Sequence, residues 1–561
     1  MNPIRSPEPK IFERFWHASV LALCALGLAA CGGGGEKDGG TGGVDLPGPV
    51  PATGSYAVVA WNDLGMHCVD GKDYSVFSIL PPYNNLHAQV IRRDVGNNKL
   101  VTSGISLTYE AVADASGSIN TSSFLKTNFW SWVQQLFGVS PANDVGLTGN
   151  ATPSRTPMAM PYNAGAGWWE ATGIPITPYD DSGAKNFYPM VKVVARDGSG
   201  RLLASTNVVL PVSDEMSCKT CHASSSGYDA ARPAAGWVND TADAEKDWKK
   251  NILRLHDERF PSAIADAGKQ ANYSHGTLLA SALAGQPVLC AACHKSNALG
   301  TAQVGGIAPL TTAMHARHAN VIDPTTNATL EADTTRSACY RCHPGSVTKC
   351  LRGVMGNATD ANGNPLIGCQ SCHGPMSSVG RSGREGWLDE PACQNCHDRA
   401  SAGGAFSRFT TVFSSGTTVR STIDRLFASQ ANVPASGKSL YRFSAGHGGL
   451  QCEACHGATH AEYPSSHAND NVQSLALQGH TGTLRECATC HATSPANGVN
   501  GGPHGMHVVG QEWVNRHQDV GWSAACAVCH GADARGTFLS KTATGQVVGC
   551  YNCHNGPGGG D

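Results

Sequence analysis

The chain has 561 residues, with 40 Lys and Arg against 43 Asp and Glu, a net charge of −3 with histidine neutral. That length exceeds one ordinary domain, and the near balance of charge excludes the basic footprint of a nucleic-acid-binding protein. Its 66 glycines favour loops and tight turns over long helices, and its 22 cysteines stand beside 23 histidines.

In chain order, residues 1–30 read as an export signal. Arg5, Lys10 and Arg14 form a positive n-region, and Ala18 to Ala30 is an apolar run too short to span a bilayer. The run ends in "LAAC", Leu28 to Cys31. This resembles the lipobox of bacterial lipoproteins. The resemblance implies that Cys31 is acylated and becomes the first mature residue, and Gly32 after it implies the outer membrane rather than inner-membrane retention. A plain secretory signal with an incidental Cys31 is the alternative. Residues 31–54 are a Gly-rich tether with a stiffer Pro-containing end, reaching roughly 25 Å. The expected attachment to the membrane is by acyl chains, without a spanning helix.

Residues 55–212 are cysteine-poor and strand-like. "SYAVVAW", "YSVFSIL", "HAQVIRR", "GISLTYEAVA", "MVKVVARD" and "LLASTNVVLPV" are β-branched or alternating runs bounded by Gly, Pro, Asn and Asp. "RDGSGR" between the last two is a hairpin signal, and "FLKTNFWSWVQQLFG" reads as an inserted helix. The expected fold is multidomain. An N-terminal all-β, sandwich-like domain is followed by a loop-rich, short-helix domain over residues 213–561.

That second region holds nine copies of C-x-x-C-H, with cysteine pairs Cys218/Cys221, Cys290/Cys293, Cys339/Cys342, Cys369/Cys372, Cys393/Cys396, Cys452/Cys455, Cys487/Cys490, Cys526/Cys529 and Cys550/Cys553. Two cysteines at this spacing can each form a thioether to one vinyl group of a haem, and the histidine after them is placed under the iron. A zinc site does not need that histidine after every pair, and a thioredoxin-like motif occurs once, beside a βαβ pattern. The reading is nine covalent haems c with His222, His294, His343, His373, His397, His456, His491, His530 and His554 as proximal ligands. So many haems leave no room for an ordinary apolar core, so the haems themselves are expected to form it. The motif intervals are irregular, which excludes a simple solenoid. The two shortest, Cys369 to Cys393 and Cys526 to Cys550, point to tightly coupled haem pairs.

A haem iron has a sixth position, and histidine there sets a low potential whereas methionine raises it. Eleven further histidines are distal candidates: His256, His275, His315, His318, His447, His460, His467, His480, His504, His507 and His517. They suffice for bis-histidine ligation throughout. "MHARH" at His315 and His318, and "PHGMHVVGQEWVNRH" from Pro503 to His517, read as straps that reach different haems. Some of the eleven serve instead at the surface or orient a ligand. Methionine is the lesser option, through Met216, Met314, Met355, Met376 or Met506.

Cys24 leaves with the signal, so Cys68 and Cys350 remain. An even remainder in an oxidising compartment allows a disulfide clamping the two regions. Cys68 follows "WNDLGMH", with His87 downstream. Those are blue-copper ligand types, but the spacing does not resemble a cupredoxin loop. His67 as an extra haem ligand and an ordinary packed turn are the other readings.

Lipobox, tether, β domain and haem motifs together resemble the outer-membrane multihaem c-type cytochromes of bacteria that respire extracellular acceptors. The motifs that carry the likeness cover the C-terminal three-fifths of the chain, and the β domain's likeness is architectural. The resemblance implies an electron-transfer protein rather than an enzyme, lying at the cell surface or on the periplasmic face of the outer membrane. Electrons would pass between haems to or from other cytochromes or electron carriers, an outer-membrane porin partner, an extracellular mineral or a soluble shuttle. The haem propionates favour basic partners or positively charged oxide surfaces. One alternative is a reductase or oxidase acting on a small nitrogen or sulfur compound at one open haem; the C-x-x-C-K motif that marks many such sites is absent. Another is a subunit of a cytochrome filament.

Overall fold

The structure is a computed structural model that describes residues 54–93, 99–386, 389, 391, 393–398, 407–420, 442, 445, 447–492, 515, 522, 533–535, 549–552 and 554. Two antiparallel sheets face one another in its N-terminal part. One runs in the order β1 (Tyr56–Trp61), β4 (Tyr83–Arg92), β9 (Trp168–Pro175), β8 (Tyr162–Asn163), with β5 (Lys99–Leu100) also on β4. The other runs β11 (Leu202–Val209), β10 (Met190–Asp197), β6 (Ile105–Val112), β7 (Met158–Met160). Alternate residues point to opposite faces of a strand. Val58 and Ala60, with Leu86, Ala88 and Val90, therefore meet Leu107, Tyr109, Val191, Val193 and Val208 in one buried cluster. The β10–β11 turn closes with the Asp197 amide donating to the Arg201 carbonyl at 3.0 Å and Gly200 at φ +85°.

"YAVVAW" is continuously apolar rather than alternating, and the packing shows why. The face of β1 turned away from the sandwich, Ala57, Val59 and Trp61, is buried too, with Trp168, against Leu450, Ala454 and Leu484 of the cysteine-rich region. A strand covered on both faces reads as an unbroken apolar run. Its open edge is covered as well. Gln473 accepts from the Ala60 amide at 2.8 Å and donates to the Ala60 carbonyl at 2.9 Å, satisfying both backbone groups. Gln473 lies on α11 (Val472–Gln478), and Ala454 on α10 (Cys452–His456).

The two regions are interleaved at their junction. β12 (Val212–Ser213) pairs in parallel with β2 (His67–Cys68), and β13 (Val288–Leu289) pairs in parallel with β3 (Phe77–Ser78). The sheet pairing thus crosses the boundary expected at 212/213. The inserted helix α1 (Phe129–Phe137) ends at Gly138, φ +71°, and buries Phe129, Val133 and Leu136 with Leu289, Ala291 and Leu299. Beyond Ser213 the helices are short: α2 (Lys219–His222), α3 (Ala244–Arg259), α4 (Ala263–Asp266), α5 (Leu278–Leu283), α6 (Leu310–His318), α7 (Arg336–Tyr340), α8 (Cys369–His373) and α9 (Met376–Val379). The longest, α3, starts where the Asp243 carboxylate accepts from the Glu245 and Lys246 amides. It is held to the sandwich side by fully buried Lys249, whose ammonium donates to the carbonyls of Asp70 and Asp73. Among the described residues no helix is long and apolar enough to cross a membrane.

Candidate functional site

The described motifs are built as one helical turn, except that of Cys393, whose turn covers Cys393–Asn395 and whose His397 lies in a short strand. The histidine amide donates to the carbonyl of the first cysteine at 3.0 Å in the Cys218 and Cys290 motifs, 2.9 Å in the Cys339 motif and 2.8 Å in the Cys487 motif. The Cys369 and Cys452 motifs are themselves α8 and α10. Positions i, i+3 and i+4 of such a turn share one face. Both thiols and the imidazole of a motif therefore look the same way.

Five motifs, those of Cys218, Cys339, Cys369, Cys393 and Cys452, line one cavity of about 1670 Å³. That exceeds the roughly 300–1,000 Å³ of a single small-molecule pocket. His315, His318 and His460 line it too, and three ring pairs face one another. His222 and His318 have ring centroids 6.5 Å apart, His315 and His343 6.1 Å, His373 and His460 6.2 Å. Two imidazoles bound to one metal at roughly 2.0–2.1 Å each have centroids about 6 Å apart. The ring pairs therefore have the separation that a shared iron requires.

The second ring nitrogens support the same fit. His315 Nδ1 lies 2.8 Å from the Thr311 carbonyl, His318 Nδ1 2.6 Å from Met314, His294 Nδ1 2.8 Å from Ala308 and His460 Nδ1 3.1 Å from Leu64. In His315, His318 and His294 a proton on Nδ1 directed at a carbonyl leaves the Nε2 lone pair for a metal, whereas His460 also hydrogen-bonds the Cys350 side chain. Nδ1 of His222 and of His256 is buried without such a partner. Burial, then the neighbouring histidines, pushes His373 down to about 3 and His222 and His315 down to about 4. These rings are neutral at ordinary pH, the form that binds metal. His460 is fixed further. Its backbone is left-handed at φ +71°, and its carbonyl accepts from Arg352 at 2.8 Å and Gly353 at 2.7 Å. Burial disfavours charge on it, yet Cys350 and Glu462 beside it push its pKa up to about 10, so a metal bound there would expel a proton.

The remaining candidates divide by environment. His256, on α3, lies near His294 of the Cys290 motif and against Phe260. His275 is exposed. His467 stacks on Tyr188 at 3.5 Å, and its Nδ1 accepts from the Asn469 amide at 3.2 Å. With Nδ1 accepting, the neutral ring carries its proton on Nε2, the opposite tautomer to that of His315 and His318. In His480, Nδ1 lies 2.9 Å from the Thr481 carbonyl and Nε2 3.2 Å from Glu486. His397 and His447 are described in their backbone only. Cys31, Cys526, Cys529, His530, Cys553, His504, His507 and His517 lie outside the described residues. His554 and Cys550 are described, as are Cys487, Cys490, His491, Cys455 and His456.

Cys68 and Cys350 are free thiols, close enough to raise the Cys68 pKa and both on the cavity wall. His67 Nε2 lies 2.6 Å from the Asp63 carboxylate and its ring lies edge-on to Tyr83 at 4.8 Å. The "WNDLGMHC" segment is thus a buried turn held by a side-chain hydrogen bond. Sequence reasoning missed the carbonyls that orient the histidines. It also missed the contact between the Cys339 and Cys369 thiols and the buried Arg352–Asp470 pair, 2.6 and 2.8 Å. None of them has a local sequence signal.

The residues present fit haem c: paired thiols for thioethers, an imidazole beside each pair, and a second imidazole opposite three of them. Haem iron supplies one-electron redox chemistry at a potential set by axial ligand, burial and hydrogen bonding. The chain contributes imidazole ligands, the carbonyls that orient them and an enclosing wall. Residues 289–374, which hold three of the motifs, match the family described as cytochrome c554 and c-prime. No curated protein and no solved structure matches the chain. This stretch is similar to a c-type cytochrome, which supports covalently bound haem c and, at most, haem-based electron transfer.

Proposed function

We propose that the chain is a multihaem c-type cytochrome with haem c at all nine C-x-x-C-H motifs, conducting electrons between closely spaced bis-histidine haems. The observation that carries this is the set of three facing ring pairs, 6.1–6.5 Å apart, on a single cavity shared by five motifs. No acid–base machinery is needed for such a role; ligation and burial do the tuning. Haems beside the apolar cluster of Trp248, Leu253, Ile264 and Leu278 would also account for the loop-rich texture of the second region. The lipobox at Cys31 and the tether after it support an outer-membrane anchor. With that anchor, the acceptors or donors are other cytochromes, a porin-associated partner, a soluble shuttle or a mineral surface.

The deciding experiment is haem quantification with intact-protein mass spectrometry, joined to low-temperature EPR of the same oxidised sample. Nine haems, all low-spin once coupled signals are accounted for, support the conduit. A stoichiometric high-spin haem overturns it in favour of a reductase with substrate at an open iron. Mass spectrometry of the N-terminal fragment tests the anchor: an unmodified Cys31 in the mature protein removes it.

A further inference from the structure

Helix α6 carries His315 and His318 three residues apart, hence on one face with Cβ atoms roughly 5–6 Å from each other. Each ring is oriented by a carbonyl of its own helix, Thr311 for His315 and Met314 for His318. They face different motifs: His315 meets His343 and His318 meets His222. A single helical turn therefore stands at two centres whose cysteines are far apart in sequence. The Ser217 amide donates to the Cys342 carbonyl at 3.3 Å, joining the same two motifs on their other side.

The adjoining motifs can be placed as well. Cys218 and Cys290 pack against one apolar cluster that includes Phe77, Trp248 and Val288. The Cys339 and Cys369 thiols touch. Arg336 Nε donates to the Ile367 carbonyl at 3.1 Å and Gln370 to the Thr335 carbonyl at 2.7 Å. The segment after Cys393 then ties its own motif to the previous one. Phe409 donates to the Cys396 carbonyl at 3.0 Å and Val412 to the Ser371 carbonyl at 2.9 Å.

We infer that, within the conduit proposed above, the haems at five motifs lie in the spatial order Cys290, Cys218, Cys339, Cys369, Cys393. The first two are reversed from chain order, and α6 supplies distal ligands to the adjacent haems at Cys218 and Cys339. Of these five, the haem nearest the N-terminus of the chain is then internal and the second is terminal. The inference rests on the conduit reading, and only the loaded protein tests it.

The test is redox potentiometry with EPR on the haem-loaded chain carrying His315→Met or His318→Met, singly and together. Each single variant is expected to convert one haem to histidine–methionine ligation with a raised potential, and the double variant two haems. Both substitutions converting the same haem, or either leaving every haem unchanged, overturns the shared-helix assignment. Order is read separately by removing one attachment site at a time. Cys218→Ala with Cys221→Ala should abolish the magnetic interaction linking the haems at Cys290 and Cys339. Cys290→Ala with Cys293→Ala should leave the interaction across α6 unchanged. The reverse result overturns the order. The unsubstituted protein separates the two failures: nine low-spin haems there leave the conduit standing whatever the variants show.

Discussion

Gly380 lies against the backbone of Ala316: a methyl group built on Gly380 would fall 2.3 Å from the Ala316 amide nitrogen and 2.9 Å from the His315 carbonyl carbon. The contact joins α9 to the helix that presents His315 and His318, and only a residue without a side chain allows it. Gly380→Ala must push α6 aside. The expected result is a destabilisation of about 1–3 kcal/mol, with loss of low-spin character at one or two haems while attachment is retained. Gly198→Ala is the control, because a methyl there meets nothing within 4 Å. Optical and EPR spectra of both variants check this, and an unchanged spectrum for Gly380→Ala would show that α6 tolerates displacement.

Arg352 is 1% exposed and forms a two-pronged pair with Asp470, with Nε at 2.6 Å and Nη2 at 2.8 Å. It also lies 4.9 Å from the Tyr188 ring centroid and donates to the Lys349 carbonyl. It thereby holds the Cys350 loop against the segment that follows the Cys452 motif. Asp470→Asn leaves a buried cation without its counter-charge, so a loss of about 3–5 kcal/mol is expected. Replacing both, Arg352→Met with Asp470→Leu, removes that uncompensated charge and should recover most of the loss. Denaturation midpoints of the three variants decide it. A double variant as weak as the single one would mean that the remaining contacts of Arg352, not its charge pairing, do the stabilising.

How much could be read beforehand divides by range. The cysteine motifs were legible because thioether chemistry demands adjacent residues, and the strands because alternation is local. The inserted helix begins at Phe129, a few residues later than its apolar pattern starts, because Lys126, Thr127 and Asn128 turn aside to bond Asp181, Phe129 and Tyr74. Pairing of His318 with His222 was not legible, since nothing near either residue names the other. Nor was the setting of His467, which differs from His315 in what surrounds it: an amide donor and a tyrosine ring in place of a carbonyl and a motif histidine. The boundary after residue 212 was drawn from composition, and composition does not register that β12 pairs with β2.

Cys68 and Cys350 yield a count. If haem occupies every motif cysteine and lipid Cys31, as proposed, they are the two thiols left once Cys24 leaves with the signal. Burial, then Cys350 itself, pushes the Cys68 thiol well above its ordinary range, so its reactive thiolate is scarce in the native state. Alkylation of the native protein should be slow. Denaturation without reductant should expose two reactive thiols. Mass spectrometry after labelling checks this, and zero labels would establish a disulfide between the regions.

Asp63 sets an acid limit on the sandwich side. Burial opposes its charge, but His67, Arg442 and His87 around it hold its carboxyl well below the usual carboxylate range. Asn85 adds a donor at 2.8 Å. A carboxylate whose pKa is depressed on folding stabilises the native state above its unfolded value, near 3.9. That contribution fades as pH falls through the folded value. The unsubstituted protein should therefore lose on the order of 2 kcal/mol as pH drops below about 4. Asp63→Asn should be weaker at pH 7 and flatter in this acid range, because its side chain has no proton to gain. Thermal unfolding of both proteins across pH 2–7, followed in the far-ultraviolet to report the sheets, tests the sign. Parallel curves for the two would show that other carboxylates govern the acid transition, and would remove the Asp63–His67 pair as its cause.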